Sequence, residues 1–172
     1  MQIKNARTNR HYSRWILLLL ILLGGATFRY SYNTGTLIDT PIRGDTAYYF
    51  GYAENLLEHA TFSKDMKNDP PVPDSYWAPG YPFFLAAIIH SSLTLGIDMY
   101  KSILNAQLAL GVLTILLTYL IAASCLPNYL PLMPALLVAL SPHLMSTGQY
   151  FLTETLTSFT LLLSILLFIR GI

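Results

Sequence analysis

Apolar positions in this chain gather into long runs separated by one extended polar stretch, instead of alternating with polar positions as they do along an amphipathic strand. The first run, Trp15 to Phe28, follows the basic segment "MQIKNARTNRHYSR", which holds Lys4, Arg7, Arg10 and Arg14. It is shorter than the ~20 residues a bilayer crossing needs, but Tyr30 and Tyr32 extend it as an interfacial belt, so a span is expected over residues 15–32. No small-x-small cleavage site closes "GGATFRYSY", and the run is read as a retained span in preference to a removed signal sequence. Three later runs, residues 102–126, 129–147 and 150–170, are also expected to cross, with Pro142 tolerated near the far end of its run.

Residues 33–101 form the polar interval. Within it "DTAYYFGYAENLLEH", Asp45 to His59, is helical in pattern, with Tyr48, Tyr52 and Leu56 recurring every fourth residue. Five of the ten prolines then fall between Pro70 and Pro82, where fixed φ and missing N–H groups forbid a regular helix. That stretch is expected to be an ordered loop, and Tyr76, Trp77, Tyr81, Phe83 and Phe84 suit a bilayer surface. Pro79 to Gly96, bracketed by Pro and Gly and carrying His90, Ser91 and Ser92, reads as a helix lying in the interface plane.

The fold expected is therefore all-α: a polytopic membrane protein with about four transmembrane helices, amphipathic juxtamembrane helices in the first outer loop, and no separate soluble domain. The basic segment, residues 1–14, places the N-terminus in the cytoplasm. Four crossings then return Arg170 to the cytoplasm and put Asp45 and Glu154 on the same outer side. A fifth crossing at Pro79 to Gly96 would separate the two acids.

Composition agrees: 53% of residues are hydrophobic and 11% charged, with a mean hydropathy of +0.47. The formal net charge of +1 supplies no basic field, so nucleic acid is not an expected partner. The single cysteine, Cys125, excludes an internal disulfide and is expected to be a small buried hydrophobe.

Few residues in this composition can do chemistry. Asp45 opens a helix; it either answers the helix dipole from the first turn or acts on a substrate, and Arg43 beside it is a simple partner or a fork of donors for phosphate. Glu154 lies within the first turns of an apolar run, where a carboxylate costs ~2.5–3.5 kcal/mol at the bilayer centre and less near the rim. It is either functional or simply wet at headgroup level. His90 and His143 lie on the same expected side but match no compact ligand motif, which makes Glu154 and His143 weak metal candidates. Asn105 and Gln107 suit hydrogen bonds between helices.

The order of segments carries a resemblance: a span, then "GDTAYYFGYAENLLEHATFS", then "WAPGYPFFLAAI", then "LSPHLMSTGQYFLTETL". From Trp15 to its last residue the chain resembles the N-terminal portion of the GT-C membrane glycosyltransferases, specifically the protein O-mannosyltransferase and aminoarabinose-transferase-like group. The resemblance implies transfer of a sugar from a polyprenyl-phosphate donor to a glycan, lipid or protein acceptor. The site would lie on the outer face of the membrane, in a bacterial inner membrane. It assigns Asp45 as the catalytic acid of the first outer loop and Glu154 as the second acid, holding the acceptor or a divalent ion. Arg43, Tyr48, Tyr49 and Tyr81 would contact substrate, the rings stacking on sugar or prenyl chain. A divalent metal ion is the one cofactor left open. The competing reading is a small polytopic transporter or membrane scaffold, in which Glu154 faces an ion path or a helix partner.

Overall fold

The computed structural model describes residues 2–36, 42 and 44–171, with side chains from Tyr12 onward, and within these it contains seven helices and no strand. They are α1 (Gln2–Gly35), α2 (Asp45–His59), α3 (Gly80–Leu95), α4 (Met99–Cys125), α5 (Leu132–Leu140), α6 (Pro142–Thr147) and α7 (Glu154–Arg170). Two segments are long and apolar enough to cross a membrane: Tyr12–Gly35 of α1, 24 residues, and the whole of α4, 27 residues.

Local chemistry sets the boundaries. Asp98 caps α4 by accepting the Lys101 N–H at 2.7 Å, and Pro127, just past the end, cannot extend the helix. α3 tolerates Pro82 because a first-turn N–H has no intrahelical acceptor to lose, and it stops at Gly96, whose φ of +65° suits glycine. The expected crossing at 129–147 is not one helix. Pro142 forces Ser141 into extended backbone (φ −66°, ψ 113°), so α5 ends there and α6 starts anew, with Ser141 Oγ accepting from the Leu144 N–H at 3.4 Å.

Two apolar clusters organise the bundle. In one, Leu18 of α1 meets Ile115 and Tyr119 of α4 and Leu132, Ala135 and Ala139 of α5. In the other, Tyr49, Phe50 and Ala53 of α2 meet Tyr81, Leu85 and Ile89 of α3, Ile103 of α4 and Phe151 from the turn before α7. Gly25 lets α1 approach α4 closely: a Cβ there would fall 2.7 Å from Ile115 Cδ1 and 3.3 Å from Ala139 Cβ, as at small-residue helix crossings. Away from these seams α1 exposes Ile16, Leu17, Leu19, Leu20 and Leu23, a contiguous apolar surface of the sort that marks a partner or membrane contact.

Hydrogen bonds sort the molecule into two ends. At one, Arg14 Nη1 donates to the Asn128 carbonyl at 3.4 Å and the Ser13 and Tyr129 hydroxyls lie 2.7 Å apart, joining the start of α1 to the α4–α5 turn. At the other, Gln149 Nε2 donates to the Tyr32 carbonyl at 2.8 Å, tying the segment before α7 to the far end of α1. Because α7 begins at this second end and runs ~1.5 Å per residue, its 17 residues carry Arg170 back toward the end held by Arg14.

Three expectations need correction. The Tyr48, Tyr52, Leu56 spacing does not define the buried face of α2, since Tyr48 is 46% exposed while Tyr49, Phe50 and Ala53 are buried against α3. Tyr52 is buried, but against the loop: its ring stacks on Phe62 and its hydroxyl donates to Asp74. Cys125, expected inside, is exposed, because it is the last residue of α4, where helix packing has run out.

Candidate functional site

α2 starts at Asp45 with no side-chain cap, Gly44 taking the cap position at φ +58°. The carboxylate is thus exposed at a helix N-terminus, where unpaired N–H groups favour negative charge. One turn on, Tyr49 is buried with its ring edge-on to Tyr81 (centroids 5.2 Å apart) and tilted against Trp77 (5.2 Å). Burial raises the Tyr49 phenol above its ordinary range, a hydrogen bond with the Thr153 side chain opposes the rise, and the charges of Asp45 and Glu154 add to it. The charges of both acids reach this phenol, and Phe50 of α2 packs on Phe151 (centroids 5.5 Å apart), three residues before Glu154, so the starts of α2 and α7 lie at one end of the bundle.

Tyr81 fixes the floor of this region. Its hydroxyl lies 2.7 Å from the buried amide of Gln107. With that amide turned so that every donor meets an acceptor, Tyr81 donates to Gln107 Oε1, and Nε2 donates to the carbonyls of Gly148 (2.6 Å) and Tyr150 (3.2 Å). Burial pushes the Tyr81 phenol far up, Gln107 opposes this and Glu154 adds to it. Gln107 does bond between elements as expected, whereas Asn105 is exposed.

Glu154 is the first residue of α7 and exposed at its outer edge, yet it also lines a cavity of about 20 Å³, room for a single water, together with Arg29, Gly111, Thr114, Thr155 and Ser158. Arg29 was not singled out by sequence. It lies on α1, 5% exposed, with Nη1 donating to the carbonyls of Gly25 (3.3 Å) and Ala139 (3.2 Å) and Nη2 to that of Val138 (3.1 Å). Gly111 makes the room: a Cβ there would come 2.9 Å from Arg29 Nε. Among the described residues no carboxylate lies within 4 Å of this guanidinium.

Between α2 and the proline-rich loop the groups are tightly bonded. Asp74 accepts from the Tyr52 hydroxyl, from the Lys64 N–H at 2.9 Å and from the Tyr76 N–H at 3.1 Å. Burial pushes its carboxyl up, but these bonds outweigh that and hold it below the usual carboxylate range. Asp65 accepts from the Asn68 amide at 2.5 Å and from the N–H groups of Lys67, Asn68 and Val72, and these bonds, the Asn68 side chain foremost, lower its pKa to about 2.

Of the residues expected to contact substrate, Arg43 lies outside the described residues. Tyr48 is exposed and lines a groove of about 610 Å³ with Lys64 and Lys67. Tyr49 and Tyr81 are buried, their rings covered by one another and by Trp77 and Phe84, so in this conformation they support the site and do not line it. His143 and His90 are both exposed. Among the described residues no three of His, Cys, Asp and Glu gather as metal ligands. Comparisons with known protein families, with curated proteins and with solved structures return no match.

Proposed function

We propose that this chain carries the catalytic end of a GT-C-type membrane glycosyltransferase, moving a sugar from a polyprenyl-phosphate donor to an acceptor on the outer face of the membrane. One observation supports this above others: Asp45 and Glu154, 109 residues apart in sequence, open two helices whose starts are joined by the Phe50–Phe151 contact. A lipid-linked donor keeps its tail in the bilayer and its phosphate at the rim, so its reacting carbon lies where membrane and water meet. Two acids at one end of an apolar bundle suit that position.

In this reading α1, α4, the α5–α6 pair and α7 are the crossing segments, and α2 and α3 lie across the outer rim. Asp45 takes the proton of an acceptor hydroxyl as its oxygen bonds to the anomeric carbon. The bond from that carbon to the phosphate oxygen breaks, and the polyprenyl phosphate leaves with the electron pair. A base so placed supplies ~10²–10⁴ in rate. Glu154, at the start of α7, accepts hydrogen bonds from the acceptor and orients it.

The test is turnover by the full chain in phospholipid vesicles supplied with a panel of polyprenyl-phosphate-linked hexoses and pentoses. Asp45→Asn should lower transfer by about 10²-fold or more, with unchanged membrane insertion. Full activity in Asp45→Asn removes this carboxylate from the mechanism. A transporter reading draws on the small cavity shared by Arg29 and Glu154. It expects residues 42–77 to be dispensable, so retained function after their deletion would favour it.

A further inference from the structure

Beside Asp45, the start of α2 and the loop around residues 64–74 enclose a groove of about 610 Å³, within the range of small-molecule sites. Its walls include Tyr48, Lys64, Asp65, Lys67 and Asp74. Tyr48 stands three residues after Asp45, on the same face of the helix. The Lys64 ammonium lies 3.6 Å from the centroid of the Tyr76 ring and 5.5 Å from that of Tyr48, and these rings are 70% and 46% exposed. The cation thus rests on one face of Tyr76, which stands just outside the groove, and near one face of Tyr48, and each ring keeps its other surface to solvent.

The groove has two acids as well as two lysines, but the four groups are not equivalent. Each oxygen of Asp65 already accepts two hydrogen bonds, from Lys67 and Asn68 N–H at one and from the Asn68 amide and Val72 N–H at the other. Each oxygen of Asp74 is likewise occupied, by Tyr52 and Tyr76 at one and by Lys64 N–H and Ser63 at the other. Neither lysine forms an ion pair among the described residues. Both carboxylates stay ionised, so the lining is formally neutral, but the polar capacity left open is the lysine N–H donors, which a ligand rich in acceptors and bearing carboxylates would meet.

We propose that this groove binds an anionic carbohydrate, the acceptor chain, with Tyr48 and Tyr76 stacking on pyranose faces and Lys64 and Lys67 meeting its carboxylates. The assignment as acceptor rests on the transferase reading; the binding itself does not. The groove would deliver the terminal hydroxyl to Asp45, one helical turn away.

The experiment is an equilibrium titration of the detergent-solubilised full chain with hyaluronan tetrasaccharide, which is anionic, and with cellotetraose, which is neutral. Trp77 emission is the readout, since its ring lies 5.5 Å from that of Tyr76. The anionic sugar should bind saturably and at least tenfold more tightly than the neutral one. Lys64→Gln with Lys67→Gln should weaken it about tenfold and erase the preference, Tyr48→Ala should weaken both sugars, and helicity should be unchanged. Equal binding of the two sugars, absence of saturable binding, or indifference to these substitutions overturns the proposal. Saturable binding in a chain that transfers no sugar leaves the groove standing and removes the transferase reading; transfer without such binding does the reverse.

Discussion

Phe50 of α2 packs on Phe151, three residues before α7, with ring centroids 5.5 Å apart, and so brings the two helix starts, Asp45 and Glu154, to one end of the bundle. The relationship depends on two ties across the bundle. Gln107 holds the segment before α7 to Tyr81, and Gln149 holds it to the end of α1.

If Glu154 orients the acceptor and Asp45 takes its proton, the two substitutions should separate kinetically. Glu154→Gln should raise the acceptor KM about tenfold or more while lowering kcat less, whereas Asp45→Asn should act on kcat by about 10²–10⁴. Steady-state transfer at varied acceptor concentration checks the split. Equal effects on both constants would remove the distinction of roles.

Arg29 joins α1 to α5 through the carbonyls of Val138 and Ala139, and bonds that of Gly25 in its own helix, in a buried site. Arg29→Met leaves these acceptors without the fork and should destabilise the bundle by about 1.5–3 kcal/mol. Arg29→Lys should not restore it, because one ammonium lacks the planar set of donors. Gly111→Leu should act in the same direction, by about 1–3 kcal/mol, by driving a side chain into the guanidinium. Thermal unfolding in detergent, followed by far-UV circular dichroism, measures all three.

Gln107→Leu removes a donor and an acceptor at once, stranding the Tyr81 hydroxyl and the carbonyls of Gly148 and Tyr150. A loss of about 1–3 kcal/mol is expected. Because the same bonds seat the segment before α7, Gln149 and Leu152, whose N–H groups donate to the Ser146 and Tyr150 carbonyls, should lose amide hydrogen-exchange protection, while Leu132 to Leu140 of α5 should not.

Acid should open the proline-rich loop in a defined window. Asp65 is lowered to about 2 in the fold against ~3.9 unfolded, so its contribution is fully present above the unfolded value and lost as pH falls through the folded one. Asp74 is lowered too and adds in the same direction. Limited proteolysis between residues 60 and 79 should stay slow at pH 5 and accelerate between about pH 4 and pH 2. Asp65→Asn should shrink that pH response.

Much of the helical plan was legible. Asp45 to His59 was readable to the residue because Gly44 precedes it and a polar stretch follows, and α3 lay within one residue of each expected end because Pro79 and Gly96 bracket it. The face of α2 was not legible. Aromatic residues sit on all its sides, and which are buried depends on where α3 and the loop settle, so Tyr48 is exposed and Tyr49 buried. Likewise Ser141 and Pro142 signal a break, but whether one helix bends or two form depends on how neighbours meet the freed groups. Arg29 was overlooked because a cation near the end of an apolar run reads as an interfacial anchor. Gly25 four residues earlier, the signal of a close helix approach, acquires meaning through Ile115 and Ala139, which are remote in sequence.

The central claim is that Asp45 and Glu154 lie at one rim of the membrane and the α4–α5 turn at the other. Asp45→Cys, Glu154→Cys and Asn128→Cys, each in a Cys125→Ser background, would be treated in oriented vesicles with a thiol reagent that cannot cross the bilayer. Residues 45 and 154 should label from the same side and residue 128 from the opposite side. Labelling of 45 and 154 from opposite sides would contradict the account.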